Sequence, residues 1–375
     1  MEQEQIIRDF IELCQVEVHS RDERRIADVM KEKLEALGVT VTEDTAGKTL
    51  GGNTGNLYGR LPGDPALPAI LFSAHLDRVG NNGHIHPIWD KEKNIIHTDK
   101  TTILAADDVA GLAAMLHVLR TVKEDEIPHG DIELAISVCE EVGVLGSALF
   151  DFSRFHAKIG FVLDIGGPAG KIVTSAPGKG RVTITIHGRS AHAGNAPEKG
   201  LNALKVAGAL LTRIPDGRLS PTGTANFSII SAGTATNVVC DHVELIGEQR
   251  STDSAEYKDI SRRIREAAEA VAEEYGTTID VAIEDQYAAY HLAEDAPCCR
   301  LAAAAARAVG VEPHFVRGGG GTDGNHLNEH GIATAALGVG YSKNHTPEEE
   351  IDVAEYLKAC RQAVEIVRLS GSGAF

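Results

Sequence analysis

Apolar positions along this chain alternate between short continuous runs and longer periodic ones. Continuous runs occupy 68–77, 134–139, 159–165 and 331–340, each bounded by turn-forming or charged residues. Runs of this length, rich in Ile, Leu, Val and Ala, predict strands buried on both faces. Segments with helical spacing lie between them: 3–37, broken near His19-Ser-Arg21 and stopped by Gly38, then 108–123, 296–309 and 351–369. Shorter strands are expected at 39–43 and 53–61. This alternation predicts an α/β fold, with a mostly parallel sheet and helices on both faces.

The rhythm changes between 178 and 287. Arg181-Val-Thr-Ile-Thr-Ile-His187 alternates with period two, the pattern of a half-buried strand. A helix is expected near 200–214, then strands near 225–232 and 242–249. From 255 to 275, Tyr257, Ile260, Ile264, Ala268, Val271 and Tyr275 share one helical face, with Asp253 as cap and Gly276 as stop. A last strand at 278–283 completes βαββαβ, the order of a ferredoxin-like α+β unit. The expected organisation is a discontinuous domain, 1–177 with 288–375, and an inserted domain, 178–287. The insert's sheet edge or helix faces could pair with a second copy, so a homodimer is expected.

Composition narrows the field. The 375 residues exceed one ordinary domain. Lys plus Arg number 36 against 54 Asp plus Glu, a formal charge of −18 with no basic run, which argues against nucleic acid and anionic membrane as partners. No apolar run reaches the length of a spanning helix, and the acidic start, Met-Glu-Gln-Glu-Gln-Ile-Ile-Arg8, lacks the features of a signal peptide. The six Cys form no Cys-x-x-Cys pair, so reduced thiols and a cytoplasmic protein are expected, without thiolate metal ligation.

The chemistry gathers where apolar runs end. One ends at His75-Leu-Asp77, the next at Glu140-Glu141, a third at Asp164, and His345 follows the fourth. Each admits a plain reading: a hydrogen-bonded histidine, a solvated Glu pair, and, for Asp107 and Asp108, acids favoured at a helix start. Glu140 and Glu141 are candidates for general base and metal ligand; neighbours on a strand face opposite ways, so both can serve one site only if the strand stops there. Asp77 could accept the His75 ring N–H and fix its tautomer. Ligands of α/β sheets collect beyond the carboxyl ends of strands. Two His and three carboxylates without thiolate suit a pair of divalent ions. In the insert, His192 lies in a Gly-flanked loop, and Arg250 could clamp a substrate carboxylate. The run Arg317-Gly-Gly-Gly-Gly-Thr-Asp-Gly-Asn325 could bring bare backbone to a substrate, with Gly320 and Asp323 as contacts; it lacks the Gly-Lys-Ser/Thr of a phosphate loop.

In order, His-x-Asp, Ala-Asp-Asp, Glu-Glu-x-Gly, Leu-Asp and a C-terminal His resemble the dinuclear-zinc metallopeptidase family of peptidase T, carboxypeptidase G, the peptidase V-type dipeptidases and the aminoacylases, over about residues 5–369. Ser190-Ala-His-Ala-Gly194, Thr236-Asn-Val238 and Asn344-His-Thr-Pro-Glu348 are similar to the peptidase T-like branch in particular. The resemblance implies a zinc-peptidase-like catalytic domain with an inserted lid and dimerisation domain. It implies two divalent ions per chain, zinc first, with manganese or cobalt compatible. His75 and Asp164 would hold one ion, Glu141 and His345 the other, and Asp107 would bridge them. Asp77 would orient His75 and Glu140 would act as general base. His192 and Asn237 would reach across from the partner subunit, and Arg250 would hold the peptide carboxylate. A cis peptide is implied at Asp107–Asp108. Arg78, Val109 and Thr322-Asp-Gly324 depart from the family's usual Thr, Lys and Ser-Asp-Ala, and Arg78 is expected to add a cation near the site. The expected activity is release of the N-terminal residue from short peptides, tripeptides first. A dipeptidase, carboxypeptidase or N-acyl amino acid deacylase is the alternative, and a non-catalytic peptide binder a remoter one.

Overall fold

Alternate side chains of four neighbouring strands enter two different cores. In this computed structural model, which describes residues 2–80 and 83–372, the strands lie in the order Ile132–Ser137, Ile70–His75, Ile159–Ile165 and Ala333–Gly338, all parallel. Ile70, Phe72, Ile132, Leu134, Phe161, Leu163, Ala335 and Leu337 join the larger core. Leu71, Ala135, Val162 and Ala336 join the smaller core on the opposite face. Burial on both faces explains why these segments read as unbroken apolar runs. The larger core is closed by helices Glu2–Cys14, Arg24–Ala36, Ala106–Glu124, Pro297–Ala308 and Val353–Gly371. The smaller one is closed by helix Gly324–Glu329 and the segment around Phe150 and Phe155.

Parallel pairing is confined to the centre and one outer pair. Leu57–Leu61 runs antiparallel to Ile132–Ser137, with Thr40–Glu43 antiparallel beyond it. On the other side Lys171–Ala176 runs antiparallel to Ala333–Gly338, and pairs with Tyr290–His291 and His314–Arg317. Strand Lys171–Ala176 is not evident from the hydrophobic pattern. Its direction follows from the connection: 166–170 is far too short for the crossover that a parallel strand after Ile165 needs. The polar stretch holding His84, His86 and His97 also contains structure. Strands Ile88–Asp90 and Ile95–His97 join Glu350–Asp352 and Tyr341–Ser342 in a separate four-stranded sheet. Three residues are too few to display a period.

The chain divides into two compact units, Met1–Ala176 with Tyr290–Phe375, and Pro177–Ala289. The second is an antiparallel sheet in the order Gly217–Arg218, Gly223–Ala232, His242–Ser251, Gly178–His187, Ile279–Tyr287. Helices Ala203–Leu211 and Ser254–Tyr275 bury Val206, Leu210, Ile260, Ile264 and Val271 against Val182, Ile184, Val243 and Leu245. The Asp253 carboxylate accepts the N–H groups of Ala255 and Glu256, and Gly276 closes the longer helix at φ 63°. Among the described residues no helix is long and apolar enough to cross a membrane.

Phe72 is fully buried, with its ring centroid 5.9 Å from that of Phe161. Phe72→Ala is expected to cost about 3–5 kcal/mol of unfolding free energy. Urea denaturation of the metal-free protein measures this, and a loss below about 1 kcal/mol would contradict the packing described.

Candidate metal centre

The predicted site residues sit on turns that a regular strand would not make. Ala105, Cys139 and His345 have positive φ values of 62°, 54° and 64°, a conformation that non-glycine residues adopt rarely and that concentrates at functional sites. Each lies at or just before a predicted site residue. The Asp107–Asp108 peptide is cis, as the resemblance implies. Gly111 lets the start of helix Ala106–Glu124 lie directly on strand Ile159–Ile165, since a Cβ there would meet the Leu163 carbonyl oxygen at 2.5 Å. That approach brings Asp107 toward Asp164.

The five predicted donors come together. His75 Nε2 lies 3.0 Å from Asp107 Oδ1 and 3.7 Å from Asp164 Oδ1. His345 Nε2 lies 3.1 Å from both Asp107 Oδ2 and Glu141 Oε2. Asp107 therefore stands between the two imidazoles, one oxygen toward each. Asn344 donates to Asp107 Oδ2 at 2.8 Å, and the Tyr341 hydroxyl lies 3.1 Å from Asp164 Oδ1. Asp108 is different: its oxygens accept the main-chain N–H groups of His75 and Gly111 at 3.2 and 3.0 Å, so it belongs to the turn.

Asp77 has a wider role than the sequence suggests. His75 Nδ1 is 3.1 Å from the Asp77 carbonyl oxygen and 3.5 Å from its carboxylate, so the backbone is the nearer partner of the ring. The carboxylate accepts the N–H groups of Glu140 and Glu141, at 2.8 and 3.2 Å, and the Ser20 hydroxyl at 2.6 Å. One buried acid thus ties the His75 strand end to the Glu140–Glu141 turn.

The electrostatics are those of acids outnumbering cations. Burial and then the charge of Asp107 raise the Asp164 carboxyl to about 8. Burial also pushes Glu140 well above the usual carboxylate range. For Asp107 burial works the same way, but hydrogen bonds from His345 and His75 outweigh it and hold the group low. The same bond to Asp107, with Glu141 second, lifts His345 to about 10.

The donor chemistry fits divalent cations. Donor atoms of His75, Asp107 and Glu141 lie within 4.8 Å of one another, as do those of His75, Asp108 and Asp164. Glu141 Oε1 is buried without a hydrogen-bond partner, an arrangement that costs free energy unless a cation meets it. Asp131, Glu133 and His156 form a third cluster, but there Glu133 accepts the His156 and Ala157 amides and the His156 ring N–H, and Asp131 accepts the Gly63 amide and pairs with Arg60.

Other expectations need correction. Arg78 adds no cation to the centre. Its guanidinium donates to the carbonyls of Leu13, Cys14 and Val16 at 2.6, 3.0 and 2.8 Å, around the end of helix Glu2–Cys14. Neighbouring residues of an extended segment face opposite ways, so Arg78 turns from the site as Asp77 turns toward it. Asp323 is 2% exposed and accepts the hydroxyls of Ser137 and Ser73, which makes it a brace beneath two strands, not a displayed substrate contact. Gly320 is exposed. In the second unit His192 and Asn237 are exposed and adjacent, with Ala193 donating to the Asn237 carbonyl at 3.0 Å. Arg250 is half-buried and already gripped by Glu248, Nε to Oε1 at 2.7 Å and Nη2 to Oε2 at 3.2 Å. Two acids were missed. Glu349, 1% exposed, accepts the amides of Leu104, Ala105 and Asp107, and Glu23 holds the turn before Glu140.

A parallel-centred sheet covered on both faces, with imidazoles and carboxylates converging beyond its strand ends, defines a metal-dependent hydrolase. Residues 56–192 match peptidase family M28, and residues 174–276 match the peptidase dimerisation domain of the M20 peptidases. The chain is 38% identical to the aminopeptidase PepT of Bacillus cereus, over 98% of each chain with a TM-score of 0.89. It is 33% identical to a tripeptidase of Staphylococcus aureus, over 99% of each chain with a TM-score of 0.93. The uncharacterised protein YqjE of Bacillus subtilis is 35% identical over 97% of this chain and 98% of its own length. The chain belongs to the metallopeptidase family of peptidase T, whose members depend on divalent metal ions.

The Arg78 departure from that family's threonine is testable. Arg78→Met should lower stability by about 1.5–3 kcal/mol, the scale of a charged hydrogen-bond network, and leave the pH profile of kcat unchanged. Denaturant unfolding and a pH–rate series measure both, and a shifted profile with native stability would restore Arg78 to the site.

Proposed function

We propose that this protein is a cytoplasmic aminopeptidase that removes the N-terminal residue of short peptides, tripeptides first, with two divalent ions, zinc foremost and manganese or cobalt compatible. The observation that carries the reading is the convergence of His75, Asp107, Glu141, Asp164 and His345 around an acid already placed between two imidazoles. The names of the two solved relatives, an aminopeptidase and a tripeptidase, support the substrate class. His75 and Asp164 would hold one ion, Glu141 and His345 the other, with Asp107 between them. Ions held there would supply Lewis acidity toward water and the scissile carbonyl.

Glu140 takes the proton of the attacking water and delivers it to the leaving amine. Its neighbour Glu141 can serve the same site because the strand ends at Ser137 and both amides are pinned on Asp77. In the second unit His192 Nδ1 accepts the N–H groups of Gly194 and Asn195, each at 3.1 Å. That leaves the proton on Nε2, so the exposed edge of the ring is a donor suited to a developing oxyanion. His192 and Asn237 act in the site of a partner subunit, and Arg250, oriented by Glu248, reads the peptide carboxylate. Strand Gly223–Ala232 supports the dimer: Gly217–Arg218 pairs only with Thr224 and Ala225, and beyond them Ile229 and Ile230 are 56% and 52% exposed, an open apolar stretch that invites pairing with a second copy.

A panel of one free tripeptide, its N-acetyl and C-terminal amide forms and the matching dipeptide, assayed with metal-loaded and metal-stripped protein, tests the reaction. Metal-dependent release of the N-terminal residue from the free tripeptide is expected, and Glu140→Gln should lower kcat on the order of 10²–10⁴-fold. Preference for the acetylated peptide would move the protein to the deacylase or carboxypeptidase reading. For assembly, Ile230→Lys should yield monomers in sedimentation and depress kcat; a fully active monomer would remove His192 from its role in trans.

A further inference from the structure

Beyond Ser137 the chain donates four consecutive amides to side chains instead of to a neighbouring strand. Val138 donates to Asn56 Oδ1 at 3.1 Å, Cys139 to Glu23 Oε1 at 3.1 Å, and Glu140 and Glu141 to Asp77 at 2.8 and 3.2 Å. Asp77 belongs to the His-x-Asp pattern. Glu23 comes from elsewhere, the start of the second helix, and no part of the mechanism uses it.

Three features of Glu23 point the same way. It stands at the N-cap of helix Arg24–Ala36 but makes no side-chain cap bond, so its carboxylate is turned elsewhere. It is fully buried, and its Oε2 has no hydrogen-bond partner, an unfavourable setting for a carboxylate. Its Oε1 instead accepts the amide of Arg21 at 2.8 Å and both the N–H and the thiol of Cys139, the thiol at 3.4 Å. Cys139 is the residue with φ 54° that turns the chain into Glu140. A left-handed non-glycine residue persists where its surroundings over-determine it, and Glu23 grips this one by two groups. The turn is completed behind it, Leu145 donating to the Cys139 carbonyl and Val144 to that of Glu140.

We propose that Glu23 is a positioning residue of the peptidase reaction: by holding Cys139 through its N–H and S–H it fixes the turn that sets Glu140 relative to the substrate. This rests on the reading of Glu140 as the base.

The test compares Glu23→Ala and Glu23→Gln in the full-length enzyme, by tripeptide kinetics and by amide exchange of residues 138–145 in the metal-free protein. Misplacing a catalytic group by a fraction of an ångström to one ångström should lower kcat of Glu23→Ala on the order of ten- to a hundredfold. KM should stay within about twofold, because no substrate contact is removed. Amides 139–141 should exchange faster. Glu23→Gln keeps an oxygen at the Oε1 position and should restore both kcat and protection. Native kcat in Glu23→Ala beside an inactive Glu140→Gln enzyme would overturn this proposal alone. So would a parallel loss of kcat, KM and protection throughout the unit that Gln does not rescue. A Glu140→Gln enzyme of near-native rate would overturn the base assignment and this inference with it.

Discussion

Carboxylates buried together repel one another and resist ionisation, and the first unit buries many of them at one end of its sheet. Asp77, Asp107, Asp108, Glu140, Asp164, Asp323, Glu349 and Glu23 are all less than a tenth exposed. The fold divides them by what meets them. Asp77, Asp108, Glu349 and Glu23 accept main-chain N–H groups, nine in all across the site's turns. Peptide dipoles thus meet at least one oxygen of each outer acid without introducing a lysine or arginine. The inner acids, Asp107, Glu141 and Asp164, face two imidazoles and the neutral donors Asn344 and Tyr341, and are otherwise left to whatever cation the centre binds. An Arg or Lys among them would offset part of their charge and compete with divalent ions; the buried Arg78 nearby faces a helix end instead.

The same division explains the backbone. Amides engaged by outer acids cannot join the sheet, so the chain must leave strand geometry where they bind. Ala105 and Cys139 take left-handed conformations immediately beside amides held by Glu349 and Glu23. The acids that orient the donors therefore also create the turns that display them. Adjacent residues such as Glu140 and Glu141 can then point into one site, which a continuing strand would forbid.

This division also marks what could be read from the sequence. The inner acids announce themselves because they end apolar runs or open a helix, and position on a parallel sheet brings such ends together. Glu349 and Glu23 carry no such mark. The site amides they hold lie 242–245 and 116 residues away, and a backbone amide has no identity in a sequence. Arg78 shows that nearness along the chain is not nearness in space: the alternation that aims Asp77 inward aims its neighbour outward. Most of the second unit is legible to within a few residues, since strands such as Gly178–His187 bury one face and alternate; the two-residue strand Gly217–Arg218 shows no such pattern. Strand Lys171–Ala176, buried almost throughout, and the three-residue strands gave no period to detect.

In the proposed reaction the second unit would supply what carboxylates cannot. An oxyanion developing beside buried acids needs hydrogen-bond donors that do not add negative charge. The His192 loop sets such a donor in advance: two backbone N–H groups occupy Nδ1 and exclude the tautomer that would present a lone pair at Nε2. The Asn237 loop is held to it by main-chain bonds in both directions, Ala193 to Asn237 and Val239 to Ala191. A donor fixed in this way needs no reorganisation as charge develops, which is the condition under which electrostatic stabilisation is largest. In the proposed pairing of two copies, the neutral hydrogen-bond donor preset in one unit would complement the acceptor-rich acids of the other.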